Sequence, residues 1–191
     1  YSIDEVKAIG EVCRKHDLRL FMDGARFANA MAHLKCHPAD VTWKAGVDAI
    51  SFGATKNGAM AVDAIVLFDS SLKSRVEQAR KRSGHLHSKH RYLATQLLAY
   101  ITDDVWLKNA RNANEAAQTL AEVLKSQGGE LAHPAEGNEL FIKMSPQLAN
   151  KLRDAGLMFH GWPSLGGDVY RFVAAWNTDI VQITELKTTL G

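Results

Sequence analysis

Two stretches decide how this chain folds: Phe21-Met22-Asp23-Gly24-Ala25-Arg26, and further along Ser51-Phe52-Gly53-Ala54-Thr55-Lys56-Asn57-Gly58. The first closes a short apolar run, Leu18 to Met22, with a carboxylate and a glycine. The second leaves another apolar run, Asp48 to Gly53, and enters a turn-like connection, Ala54 to Gly58, before a third run, Ala61 to Phe68. Short runs rich in Ile, Val and Phe and bounded by glycine read as buried strands. The unbroken Ala64-Ile65-Val66-Leu67 predicts a strand covered on both faces. Helical patterns lie between. Ile3 to His16 places Ile3, Val6, Ile9 and Cys13 on one face, and Ser2 to Glu5 forms a capping box that opens it. Phe27 to Leu34 is the next helix, stopped by Pro38. Strands alternating with helices predict an α/β layer structure around a sheet.

From Ser71 the character changes. Lys73 to Lys81 is a charged helical pattern, and Arg82 to Arg91 is a polar stretch carrying His85, His87 and His90. Two longer helices follow, Tyr92 to Ile101 and Val105 to Lys125. The second sets Ala110, Ala113, Ala117, Leu120, Ala121 and Leu124 on one stripe, and Gly128-Gly129 ends it. The remainder is a smaller α+β pattern. It has strands near Leu140 to Met144, Leu157 to Phe159 and Tyr170 to Ala174, and a helix near Pro146 to Ala155. A final helix starts from Asp179 with Thr178 as its N-cap. The division falls at 1–107 and 108–191, with the long helix joining the parts.

Composition narrows the class. The chain is 46% hydrophobic and 23% charged, close to an average soluble protein, with a formal net charge of +2. That balance argues against nucleic acid or an anionic membrane as an obligatory partner. Cys13 and Cys36 form no paired motif, so a disulfide framework is not expected and a reducing cytoplasm is. Cys36-His37 has no second pair at ligand spacing, which leaves no metal site to propose. No apolar run approaches the ~20 residues of a membrane span, and no signal peptide opens the chain. Tyr1 is not an initiator methionine and a helix begins at once. The expectation is a fragment of a longer protein.

Lys56 sits between two apolar runs, flanked by Gly53 and Gly58. On its own it reads as an exposed turn lysine. The alternative, for a lysine presented on a tight turn at a strand end, is a Schiff-base nucleophile. Asp23 is either a helix N-cap or a carboxylate at the carboxyl end of a strand, where open α/β sheets bind ligands. Arg26 either binds an anion through both arms of its fork or decorates the helix start.

Taken together, the two strings resemble the paired signature of the threonine aldolase family, of the low-specificity L-threonine aldolase and phenylserine aldolase type. Its members are fold type I, aspartate-aminotransferase-like enzymes of pyridoxal 5'-phosphate. The Thr-Lys-Asn-Gly form at Thr55 to Gly58 resembles a bacterial branch. The resemblance runs through the whole chain but covers only the latter half or so of a family member. It implies part of a three-layer large domain with a mostly parallel sheet (1–107), followed by a small α+β C-terminal domain (108–191). It implies that Lys56 forms the Schiff base with the cofactor, that Asp23 pairs with the protonated pyridine nitrogen, and that Arg26 joins them among the cofactor-binding residues. Arg26 and Arg171, the latter in Tyr170-Arg171-Phe172-Val173, would bind the carboxylate of an amino-acid substrate. From its residues alone, Arg171 is also readable as an exposed strand arginine.

Gly84-His85-Leu86-His87-Ser88-Lys89-His90-Arg91 is either a solvated basic loop or, by the same resemblance, a segment that reaches a neighbouring subunit's site. There His85 or His87 would touch substrate, and Lys89 or Arg91 the phosphate. Ser51 and Thr55 are further candidates for the phosphate, or else satisfy nearby backbone. The family's glycine-rich phosphate cradle and ring-stacking residue precede the Asp23 motif. They are expected upstream of Tyr1, so the chain alone is not expected to complete a site. The implied reaction cleaves a β-hydroxy-α-amino acid to glycine and an aldehyde, in a cytoplasmic homodimer or homotetramer. A β-eliminating lyase or aminotransferase of the same class, or a non-catalytic assembly module, stands as the alternative.

Overall fold

In the computed structural model, which describes residues 1–190, the chain divides into two units, Tyr1–Leu107 and Lys108–Gly191. The first opens with α1 (Ile3–Lys15), nucleated by the capping box: the Ser2 hydroxyl accepts from the Glu5 N–H at 3.2 Å, and the Glu5 carboxylate accepts from the Ser2 N–H at 2.6 Å. Val6 and Gly10 are buried, whereas Ile9 stays 38% exposed. The reason is close approach: a Cβ on Gly10 would stand 2.2 Å from the Ala45 carbonyl oxygen, so the helix is pressed on the backbone there rather than on a side-chain stripe.

Strand β1 (Phe21–Gly24) starts later than the apolar run, because the Leu20 N–H is held at 2.7 Å by the Asp48 carboxylate. It pairs in parallel with β2 (Ala49–Gly53), in the register Asp23↔Ser51 and Gly24↔Phe52. β2 pairs antiparallel with β3 (Asp63–Leu67), giving the order β1-β2-β3. β3 is an edge strand among the described residues, and Ile65 and Val66 are exposed; the expected cover on both faces is not present here. Helix α2 (Phe27–Leu34) ends at Lys35, in the left-handed region at φ 52°, ahead of Pro38. Proline therefore does not stop α2; it opens a short helix α3 (Pro38–Val41), where its missing N–H costs nothing. Val6, Phe27, Met31, Val41, Val47 and Ile50 form the core. Helices α4 (Lys73–Arg82) and α5 (Arg91–Ile101) follow, and α6 (Val105–Ser126) begins in this unit.

In the second unit α6 buries its alanine stripe, including Ala110, Ala113, Ala117 and Ala121 with Leu120 and Leu124. Gly128, at φ 87°, lets the chain turn back so that the Gly129 N–H reaches the Leu124 carbonyl at 2.9 Å and the Gly128 N–H reaches Lys125 at 3.1 Å. An antiparallel sheet, β4 (Glu130–Leu131), β5 (Glu139–Lys143), β7 (Val169–Val173) and β6 (His160–Gly161) in that order, packs with α7 (Pro146–Asp154) and α8 (Ile180–Leu190). β6 falls just after the expected Leu157 to Phe159. The Leu157 N–H closes the end of α7 on Leu152 at 3.0 Å, and Phe159 turns into the core against Phe172, ring centres 4.5 Å apart. The last helix is capped by Asp179, whose carboxylate accepts from the Val181 N–H at 2.9 Å; Thr178 instead accepts from the Ala175 N–H. Among the described residues, no helix is long and apolar enough to cross a membrane.

Candidate active site

Asp23 is exposed at the carboxyl end of β1, where its Oδ1 accepts from the Ala25 N–H at 3.0 Å. Ser51, its partner across the strands, donates to the same oxygen at 3.5 Å and accepts from the Gly24 N–H at 3.1 Å. Ser51 thus ties the two strand ends together. The turn after β1 lies directly on the end of β2: a Cβ on Gly53 would stand 2.7 Å from both Cα and O of Ala25. Only glycine at position 53 permits that approach.

Lys56 is exposed in a single 3-10 turn, Thr55–Asn57, immediately beyond β2. The turn is fastened on both sides. Oδ1 of Asp63 accepts from the N–H groups of Ala54 (2.7 Å) and Thr55 (3.1 Å), and the Thr55 hydroxyl donates to the Val62 carbonyl at 3.2 Å. The buried Asn57 donates through Nδ2 to the Tyr100 hydroxyl at 2.7 Å and to the Trp106 carbonyl at 2.8 Å. Tyr100 in turn donates to the Gly53 carbonyl at 3.3 Å, closing a loop around the lysine. Burial pushes the Tyr100 phenol up from its ordinary pKa, the Asn57 hydrogen bond pulls the other way, and the Asp63 charge adds a smaller upward push. Gln96 Oε1 accepts from the N–H groups of Met60 and Ala61, both at 3.1 Å, so α5 fixes the far side of the turn.

Arg26, half-buried, precedes α2 and lines with Asp23 an otherwise apolar cavity of about 430 Å³ between α1, α2 and β1. Lys56 is not among its lining residues. Asp23 and Arg26 thus flank Ala25, which lies against Gly53 at the end of β2, and Lys56 follows three residues beyond Gly53. His85, His87, Lys89 and Arg91 are all exposed, and no hydrogen bond joins them to Asp23 or Lys56. In the second unit Arg171 is not an exposed strand arginine: Glu139 holds its guanidinium, accepting from Nε at 2.7 Å and from Nη2. Among the described residues, no group of three His, Cys, Asp or Glu side chains is placed to hold a metal ion. Sequence reasoning missed Asp63, Asn57, Gln96 and Tyr100 as supports. An aspartate opening an apolar strand was the one local hint; the rest are partners from distant segments.

The sequence profile of the beta-eliminating lyase family matches residues 1–147, and the chain belongs to that family. Two relatives are low-specificity L-threonine aldolases. That of Pseudomonas aeruginosa is 42% identical over 187 residues, 97% of this chain and 54% of the relative. That of a Pseudomonas species is 40% identical over 191 residues, 100% of this chain and 55% of the relative. The solved threonine aldolase of Leishmania major superimposes with a TM-score of 0.90 at 26% identity, covering 100% of this chain and 56% of that one. A serine palmitoyltransferase from Sphingomonas wittichii, 14% identical with a TM-score of 0.64 over 97% of this chain and 49% of its own, shares the fold. This α/β fold is that of the fold type I pyridoxal-phosphate enzymes. The chain spans about half the length of the curated relatives it matches.

Proposed function

We propose that this chain is the lysine-bearing part of a pyridoxal-phosphate aldolase that cleaves β-hydroxy-α-amino acids, threonine-like or phenylserine-like, to glycine and an aldehyde. The observation that supports the reading is the placement of Asp23 at the carboxyl end of β1 and of Lys56 in the turn just beyond its parallel neighbour β2, with Ala25 lying against Gly53 at the end of β2. The residues fit the cofactor's chemistry. An exposed amine suits its aldehyde. Asp23 receives the Ala25 and Ser51 donors on Oδ1, so Oδ2 would be the oxygen to pair with a protonated ring nitrogen. When bound, the cofactor supplies an electron sink for the breaking Cα–Cβ bond.

In this reading Asp23 would favour a protonated ring nitrogen, and each unit of pKa support there would be worth about 1.4 kcal/mol. Lys56 would hold the cofactor through Nζ, the amine that its aldehyde would join. Arg26 and Arg171 are each assigned to carboxylate binding, since a guanidinium fork matches the two oxygens of an amino acid's carboxylate. Residues 1–107 belong to the cofactor-binding domain and 108–191 to the small domain. In a homodimer or homotetramer, His85 or His87 serves a neighbour's substrate and Lys89 or Arg91 its phosphate. The assembly is assigned to the cytoplasm.

The test is chemical. The protein containing this chain, incubated with pyridoxal phosphate, reduced with borohydride and digested, is expected to carry the cofactor's mass on the Lys56 peptide. Lys56→Ala is expected to abolish that label, and a label retained elsewhere would overturn the assignment. Incubation with threonine or phenylserine is expected to give glycine and an aldehyde; ammonia and a keto acid would establish β-elimination instead.

A further inference from the structure

Arg171 lies on β7 between Phe141 of β5 and His160 of β6, and its guanidinium is constrained in two independent ways. In the plane, Oε1 of Glu139 accepts from both Nε, at 2.7 Å, and Nη2. Across the plane, the Trp162 ring lies 5.3 Å from the guanidinium carbon, and Trp162 is itself braced edge-on by Phe141 at 5.6 Å. A flat cation with one edge on a carboxylate and one face on an indole has lost both in-plane rotation and tilt. The ion pair occupies only the Nε–Nη2 edge. Among the described residues no acceptor is placed on Nη1, so the Nη1–Nη2 end of the fork keeps the two parallel N–H groups that match a second carboxylate.

We infer that Glu139 and Trp162 are positioning residues that fix Arg171 so that its Nη1–Nη2 end receives the carboxylate of an amino acid; the inference rests on the proposed role of Arg171. The physical gain is preorganisation. An unbraced arginine loses several rotatable bonds when a ligand orders it, whereas this one is ordered on folding and loses little more on binding. Glu139 is not a competitor that the ligand evicts: a bidentate partner on the end of the fork leaves the side edge paired.

Nitrogen-detected NMR of arginine side chains distinguishes these roles, with Arg171→Leu supplying the assignment. The protein containing this chain is equilibrated with pyridoxal phosphate and titrated with glycine. The Arg171 Nε proton is expected to exchange slowly before and after saturation, while the Nη resonances move. Glu139→Gln keeps an acceptor oxygen but removes its charge, and is expected to weaken glycine binding about tenfold and to speed Nε proton exchange. Glu139→Asp keeps the charge but shortens the reach, and is expected to weaken binding as well; Trp162→Leu is expected to weaken it about threefold. Loss of Nε protection on adding glycine, or wild-type affinity in Glu139→Gln and Glu139→Asp, would overturn the inference. So would an Arg171 signal that glycine never moves. Failure of the cofactor to attach at Lys56 would instead remove the proposed function, and the Arg171 resonances report either way.

Discussion

A single carboxylate oxygen, Oδ1 of Asp63, receives two successive backbone N–H groups at the start of the lysine turn. Removing it with Asp63→Ala strands both donors, and the expected loss is about 1–2 kcal/mol by urea denaturation, with Asp63→Asn losing less because an acceptor oxygen remains. Tyr100→Phe is expected to cost about 1 kcal/mol, since Asn57 keeps its bond to the Trp106 carbonyl. The sign of the pH effect follows from the direction of the Tyr100 shift. A phenol whose pKa is raised on folding binds its proton more tightly in the native state. Its contribution is fully present below the unfolded value near 10 and is lost as pH rises through the higher folded value. Stability scans of wild type and Tyr100→Phe are therefore expected to run parallel at neutral pH and to differ in slope above pH ~10. At this scale residue type and strand-end position left Asp23, Arg26 and Lys56 ambiguous one by one, and only the resemblance of their two strings to a family's paired motif marked them out together. It could not single out the Asn57–Tyr100 clasp, because a contact between two polar groups from remote segments leaves no local pattern.

Periodicity carried the elements that bury a regular face. The stripe on α6 is buried as read, and α2 spans the residues its pattern marked. The misreadings have a common cause, which is that hydrogen bonds end elements where hydropathy does not. Leu20 is apolar yet its N–H belongs to Asp48, Leu157 is apolar yet closes a helix, and Asp179 takes the capping place from Thr178. The alanines of α6 also give this scale its prediction. Ala117 is fully buried in the core of the second unit, so Ala117→Leu inserts a side chain where there is no room. The expected cost is about 1–3 kcal/mol, read as a lower urea midpoint with unchanged slope.

For the whole molecule, alternation of strand and helix gave the α/β class, and the beta-eliminating lyase profile covers residues 1–147. The edge position of β3 was not legible, since an unbroken apolar run does not tell a covered strand from one with an open face. Each unit has its own apolar cluster: Phe27, Met31 and Ile50 among others in the first, Leu124, Leu140, Ile142 and Leu152 in the second. Leu152 is fully buried, and Leu152→Ala is expected to cost about 2–5 kcal/mol, measured by loss of amide protection across β5 and β7.

The backbone contact between Ala25 and Gly53 has a consequence for how this protein tolerates change. The segments leaving the acid's strand and leading to the amine's turn share one steric boundary, so neither is free to drift alone. Any bulkier residue at 53 demands a compensating retreat at 25, and a library that randomises one loop while freezing the other will discard nearly every member at that seam. Positions 25 and 53 are best varied as a couple.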